Sequence, residues 1–342
     1  MPTVVTFGEL MLRLSPPGFE RLLQSPMLVA TFGGGEANVA VSLAGFGLDS
    51  VYITALSKNP IGDAAIRALR AEAVRTNQIV RSGSRVGIYY AEGGASQRGS
   101  AVTYDRANSS IADMKPDAVD WAATMKGADW LHVTGITPAL GANGAEGTRR
   151  ACAAARAAGA RVSVDLNFRK KLWTEAQAQQ VMGPLMRDVD IVIANEEDLQ
   201  SVLGVHVPGT DVTSGQLDVA GYRQAAEQVT RDFGPKMVAI TLRESLSASD
   251  NAWSAVLYDA ATGQLHESQR YSVRLVDRIG GGDSFAAALI VRLVMGADAS
   301  TALRFAVAAS ALKHTIPGDF NHVSVDEVER LAAGDASGRV QR

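Results

Sequence analysis

The chain has 342 residues, enough for one large α/β domain with an appendage or for two ordinary domains, and enough to bury a core. Lys and Arg total 33 against 36 Asp and Glu, a formal net charge of -3, which gives no electrostatic footprint for nucleic acid or an anionic membrane. The single cysteine, Cys152, excludes an internal disulfide; inside "RRACAAARAAGA" it reads as a small buried helix residue in a reducing compartment.

The N-terminal "MPTVVTFGELMLRL" lacks the basic-then-apolar order of a signal peptide, and no window nears about 18 uninterrupted apolar residues, so a cytoplasmic location is expected. In chain order the expected strands are "TVVTF", "SVYITAL", "ADWLHVTG", "ARVSVDLN", "VDIVIAN" and "KMVAITL". Helical segments such as "GDAAIRALRAEA" and "GTRRACAAARAA" fall between them, the alternation of βαβ units around a parallel sheet. The last third reads as helix over 283–296 and 299–313, then as "SVDEVERLAA", opened by Ser324 with Glu327 at capping-box spacing. Two stretches break the rhythm: "MLRLSPPGFERLLQS" and "RVGIYYAEGGASQRGSAVTYDRANSS" have no helical period and read as extended excursions from the main domain.

"DRIGGGDSF", residues 277–285, sets three glycines before an apolar helix with Asp283 on its first turn. Successive glycines and a helix N-terminus both present unpaired N–H groups, a geometry that holds phosphate oxygens. Asp283 there can take a proton from an attacking hydroxyl, the general-base role in phosphoryl transfer. The stretch alone equally allows a glycine turn with Asp283 as a plain N-cap. Other chemistries drop out: no Gly-Lys dipeptide permits a P-loop, "GGGEAN" does not complete a dinucleotide-binding fingerprint, no G-x-S-x-G stands for a hydrolase, and His132, His206, His266, His314 and His322 lack metal-ligand spacing.

A second glycine cluster, "FGGGEANVAVSLAGFG", carries Gly33 to Gly35 and then Asn38. The two glycine motifs, in this order, resemble the ribokinase-like (PfkB) carbohydrate kinase family, and "FGELMLRLSPPG", "GIYYAEGGASQRGSAVTYDRANS" and "VDLNFRKKLW" resemble its 2-keto-3-deoxygluconate kinase branch. The resemblance implies a single domain over 1–342: a Rossmann-like three-layer αβα core with a small β-sheet lid formed by about 10–32 and 86–110. It implies ATP and Mg²⁺ as cofactors, admits a monovalent cation, and implies a homo-oligomer acting on a small sugar acid without nucleic acid or membrane partners. Asp283 would be the base and Gly280, Gly281 and Gly282 the anion hole.

By the same resemblance Gly34, Tyr89, Tyr104, Arg106, Arg169 and Asp319 would line the sugar pocket. Guanidinium groups suit a carboxylate and phenols suit hydroxyls, which makes this set chemically apt for a sugar acid. "DIVIANEEDL" occupies the place of the family's Asn-x-x-Glu element, with Asn195 matching and Asp198 standing where Glu is usual, toward Mg²⁺ and phosphate. On the nucleotide side Thr241, Arg243 and Ser245 would touch phosphates, with an Arg243–Glu244 surface pair as the competing reading for Arg243. Lys170 and Lys171 read as a solvated face. A kinase of a neutral sugar, fructose or ribose, is the alternative enzyme, and a sugar-sensing protein without activity the alternative class.

Overall fold

A computed structural model describes residues 1–208 and 219–338. One sheet dominates it, with the strand order Gln264–Glu267, Asp250–Asp259, Met237–Ser245, Ile191–Ala194, Arg161–Asp165, Trp130–Thr134, Thr3–Phe7 and Asp49–Ile53. From Asp49–Ile53 across to Met237–Ser245 all neighbours are parallel; the strands beyond, including Tyr271–Arg274 beside Asp250–Asp259, are antiparallel. The six strands read from the sequence form this parallel block.

Alternation along each strand feeds two cores. Val5, Phe7, Leu131 and Val192 point to one face of the sheet, whereas Val4, Trp130, Ile191 and Ile193 point to the other. Helices cover both faces, as a parallel sheet requires. On the second face lie Gly281–Val294 and Ala299–Lys313, whose buried Ala286, Ala287, Ala306 and Ala309 carry no side chain large enough to hold the two backbones apart. The helix Pro60–Ala71 begins before the expected "GDAAIRALRAEA", because Asn59 caps it by accepting from Gly62 N–H at 3.0 Å and Pro60 suits its first turn. Ser324 and Glu327 form the expected capping box.

A separate four-stranded sheet orders Val29–Gly33, Met11–Ser15, Gly87–Glu92 and Ala101–Asp105. Its outer pairs are antiparallel and its central pair, Met11–Ser15 with Gly87–Glu92, is parallel. Among the described residues no helix is long and apolar enough to cross a membrane.

Candidate active site

The carboxyl ends of the parallel strands deliver Glu9, Asp165, Asn195, Asp198 and Thr241 to one cavity of about 340 Å³, the place where open α/β sheets bind ligands. The small sheet contributes Met11, Tyr89, Tyr104 and Arg106 to the same walls. Gly280, Gly282 and Asp283 enter from the start of the helix Gly281–Val294.

That helix start has no side-chain cap: its N-cap is Gly280, with φ of 84°, and Asp283 lies beyond it within the first turn. The plain N-cap reading of Asp283 is therefore corrected. Gly280 is required twice over, since a Cβ there would sit 2.2 Å from the Asp319 carbonyl oxygen and in a left-handed backbone. The uncapped N–H groups and the helix dipole favour an anion at this end. Gly281 does not line the cavity; a Cβ on it would meet the His314 ring at 2.4 Å, and its carbonyl accepts from Ser310 Oγ at 2.7 Å.

Asp283 Oδ2 accepts from Asn38 Nδ2 at 2.7 Å, and Asn38 Oδ1 accepts from the Gly34 N–H at 3.2 Å. The two glycine motifs are thus joined through one amide. Burial pushes the Asp283 carboxyl up to about 6 against the pull of the Asn38 bond, with Asp319 adding to the rise and Arg169 and Lys313 opposing it. A carboxylate near that value, facing a cavity, is suited to take a proton at neutral pH.

Asp319 is already engaged. Arg13 Nη1 reaches its Oδ1 at 2.8 Å while Arg13 Nη2 reaches Asp277 Oδ2 at 2.6 Å, and the Tyr89 hydroxyl donates to Asp319 at 2.6 Å. Asp277 in turn accepts from the N–H groups of Ile279 and Gly318, each at 3.0 Å. This buried network fixes both ends of the glycine turn. Arg13 was not among the expected site residues.

Arg106 and Arg169 differ in what answers them. Arg106 is buried, pairs with Glu9, and lies 5.1 Å from the Tyr104 ring centroid; Ser109 Oγ also donates to Glu9 at 2.8 Å. Arg169 is only partly buried and its one side-chain hydrogen bond among the described residues is to the Phe168 carbonyl at 3.1 Å. It therefore offers the cavity a cation without an ion pair. Gly34 must be glycine for a steric reason, since a Cβ there would lie 2.0 Å from the Glu9 carbonyl oxygen.

Acids gather within the electrostatic reach of Arg169. Burial, then the charges of Asp198 and Asp283, raise Asp165 well above the usual carboxylate range, and burial pushes Asp198 up to about 6 although it accepts from Phe168 N–H at 2.9 Å. Asn167, two residues beyond Asp165 on the cavity wall, holds a φ of 39°, a strained value that asparagine tolerates best after glycine. Asn195 caps the helix Glu196–Leu203 by accepting from Asp198 N–H at 2.8 Å. Among the described residues no group of three or more acids, histidines or cysteines is arranged to hold a metal by itself.

From the strand Met237–Ser245, Thr241 and the exposed Arg243 line the cavity, and Ser245 lies off its walls. The Arg243–Glu244 pair does not form: Glu244 takes both hydrogen bonds from Arg270, at 2.8 and 3.0 Å, because successive strand residues point to opposite faces. Arg243 instead lies near enough to Arg278 to lower its pKa together with burial. Lys170 and Lys171 are exposed.

The family model described as pfkB family carbohydrate kinase matches residues 1–323. The chain is 33% identical, over 98% of both sequences, to a 2-dehydro-3-deoxygalactonokinase of Haloferax volcanii, and 27% identical, over 93% of this chain and 90% of the relative, to a 2-dehydro-3-deoxygluconokinase of Thermoproteus tenax. Its fold superposes with a TM-score of 0.94 on the crystal structure of 2-dehydro-3-deoxygluconokinase from Thermotoga maritima, at 50% identity over 98% of this chain and all of that one. The glycine turn with Asp283, the amide that ties it to the first glycine motif and the match along the sequence agree: this chain belongs to the pfkB family of carbohydrate kinases.

Proposed function

We propose that the protein transfers the γ-phosphoryl group of ATP to the terminal hydroxyl of a 2-keto-3-deoxy sugar acid, 2-keto-3-deoxygluconate first among them. The observation that carries this reading is the cavity with Asp283 at one end and Arg169, a cation with no ion pair among the described residues, within its electrostatic reach. A neutral sugar has nothing to set against that guanidinium, whereas a carboxylate forms a charge-assisted bond with it. The names of the relatives point the same way.

In this reading Asp283 accepts the hydroxyl proton as the sugar oxygen bonds to the γ-phosphorus and the bond to the leaving ADP oxygen breaks. The N–H groups of Gly280, Gly282 and Asp283 hold the equatorial oxygens, and Arg243 meets the charge developing on the nucleotide side. Tyr104 and Gly34 shape the sugar end. Tyr89 acts there through its ring, its hydroxyl being given to Asp319. Asp165, Asp198 and Asn195 fit Mg²⁺ as that ion is usually held, by one or two carboxylates with waters and phosphate oxygens, and their raised carboxyl pKa values mark a place where positive charge is wanted. When bound, Mg²⁺ neutralises charge on the β- and γ-phosphates. The four-stranded sheet serves as a lid over the sugar, and the ATP requirement, with Cys152 unpaired and buried, suits the cytoplasm.

Release of ADP with a panel of substrates tests the assignment. The highest kcat/KM is expected for 2-keto-3-deoxygluconate, with its galactonate epimer second and fructose and ribose far behind. Equal turnover of fructose would replace this reading with a neutral-sugar kinase.

A further inference from the structure

Behind the glycine turn stands a lysine that proton transfer and phosphate binding do not use. Lys313 ends the helix Ala299–Lys313 and its side chain is fully buried. Its ammonium donates to the carbonyl oxygens of Gly318 at 2.7 Å and Ile316 at 3.2 Å. The stem runs under the turn, since a Cβ on Gly280 would lie 3.1 Å from Lys313 Cε. Asp277, Asp319 and Asp283 all favour its charge, against a burial that lowers its pKa and the opposing charge of Arg13.

The enclosure has a definite chemistry. Backbone carbonyls on one desolvated centre, within the field of nearby carboxylates, are the setting that a hard monovalent cation takes. An ammonium fills such a set with three donors and one positive charge. Leaving the place empty would strand buried carbonyl oxygens and leave Asp277, Asp319 and Asp283 with one cation fewer. The connection to the turn is short: Lys313 holds the Gly318 carbonyl, the Gly318 N–H holds Asp277, and Asp277 holds the Ile279 N–H that leads into Gly280.

We propose that Lys313 is a built-in monovalent cation, which positions the loop 313–319 against the anion-binding turn 277–283 so that the enzyme works without a free alkali or ammonium ion at this place. Lys313 is a positioning residue: it touches no reacting atom and acts through the turn. A fixed charge on a covalent stem keeps the turn's N–H groups aimed before the nucleotide arrives, the preorganisation that phosphoryl transfer relies on.

The test has a wild-type arm and a variant arm, each in potassium, ammonium or choline chloride at equal ionic strength. Wild-type kcat and melting temperature should be the same in all three salts; several-fold activation by potassium over choline overturns the proposal, and this arm decides the matter if the variant does not fold. Lys313→Met should lower kcat on the order of 10- to 10²-fold with little change in KM for the sugar. Potassium or ammonium should then restore kcat and raise the melting temperature of Lys313→Met, and choline should do neither. An unchanged kcat in Lys313→Met, or a loss that no small cation relieves, also overturns the proposal. The inference rests on the kinase reading only for turnover: if wild type phosphorylates no sugar in the panel, that reading fails, while the cation response of the Lys313→Met melting temperature still tests the cation site.

Discussion

Asn38 donates from Nδ2 to Asp283 Oδ2 at 2.7 Å across 245 residues of sequence, so the first glycine motif sets the orientation and basicity of the carboxylate on the second. Asp283 has its pKa raised to about 6, chiefly by burial, and must be ionised to accept a proton, so kcat/KM should fall below about pH 6. Replacing Asn38 with Ala removes a bond that favours the ionised form, and the acid limb of the profile should move to higher pH. Asp283→Asn should stay folded and bind both substrates while losing roughly 10²- to 10⁴-fold in kcat. Turnover within a few-fold of wild type would remove Asp283 from the chemistry.

The two arginines that line the cavity, Arg106 and Arg169, should separate by phenotype. Arg169→Ala removes the cation without an ion pair and should raise KM for the sugar acid by about tenfold for each 1.4 kcal/mol lost, with a far smaller effect on fructose. Arg106→Ala instead strands the buried Glu9 carboxylate and should cost about 3 to 5 kcal/mol of stability. Urea melts and steady-state kinetics on both variants, with Arg106→Ala/Glu9→Gln as the compensated control, check the distinction.

Two neighbouring glycines should also behave differently. Gly280→Ala meets the Asp319 carbonyl oxygen at 2.2 Å in a left-handed backbone, so it should deform the turn and lower both melting temperature and kcat. A Cβ at Gly282 meets nothing within 4 Å, so Gly282→Ala should keep its melting temperature. Gly282 lines the cavity, however, and the added methyl should raise KM for ATP. Calorimetry beside ATP titrations gives both readouts.

Glu36 is fully buried and accepts at Oε1 from Thr134 N–H, Thr134 Oγ1 and Thr137 Oγ1, yet burial still pushes it up from 4.5 to about 7. Between those values the folded protein holds a proton that the unfolded chain has released, so this group's contribution to stability falls as pH rises through the window. Glu36→Gln keeps an acceptor and removes the titration. Its melting temperature relative to wild type should therefore climb from pH 5 to pH 8, by an amount corresponding to about 3 kcal/mol at most. A constant difference would mean that Glu36 is ionised throughout.

If the four-stranded sheet closes over the sugar as proposed, amide exchange in Gly87–Glu92 and Ala101–Asp105 should slow when the sugar acid is added, and ATP hydrolysis without it should be very slow. Equal exchange with and without sugar would leave the sheet a fixed wall.

The sequence by itself determined the parallel strands, the helix starts at Ser324 and at the glycine turn, and the cavity walls contributed by Asp283, Tyr104, Arg169, Asn195 and Thr241. These are legible because alternation, capping and glycine conformations are local backbone properties, readable within a few residues. Which charges answer one another was decided only by the tertiary structure. Arg13 reads as one more strand residue until the chain brings it to Asp277 and Asp319, 264 and 306 positions away. Glu9 takes Arg106, Arg270 takes Glu244 from its sequence neighbour, and Lys313 at the end of an ordinary helix becomes a buried cation. Coulomb interactions and desolvation depend on distance and enclosure in space, and a residue's type carries neither.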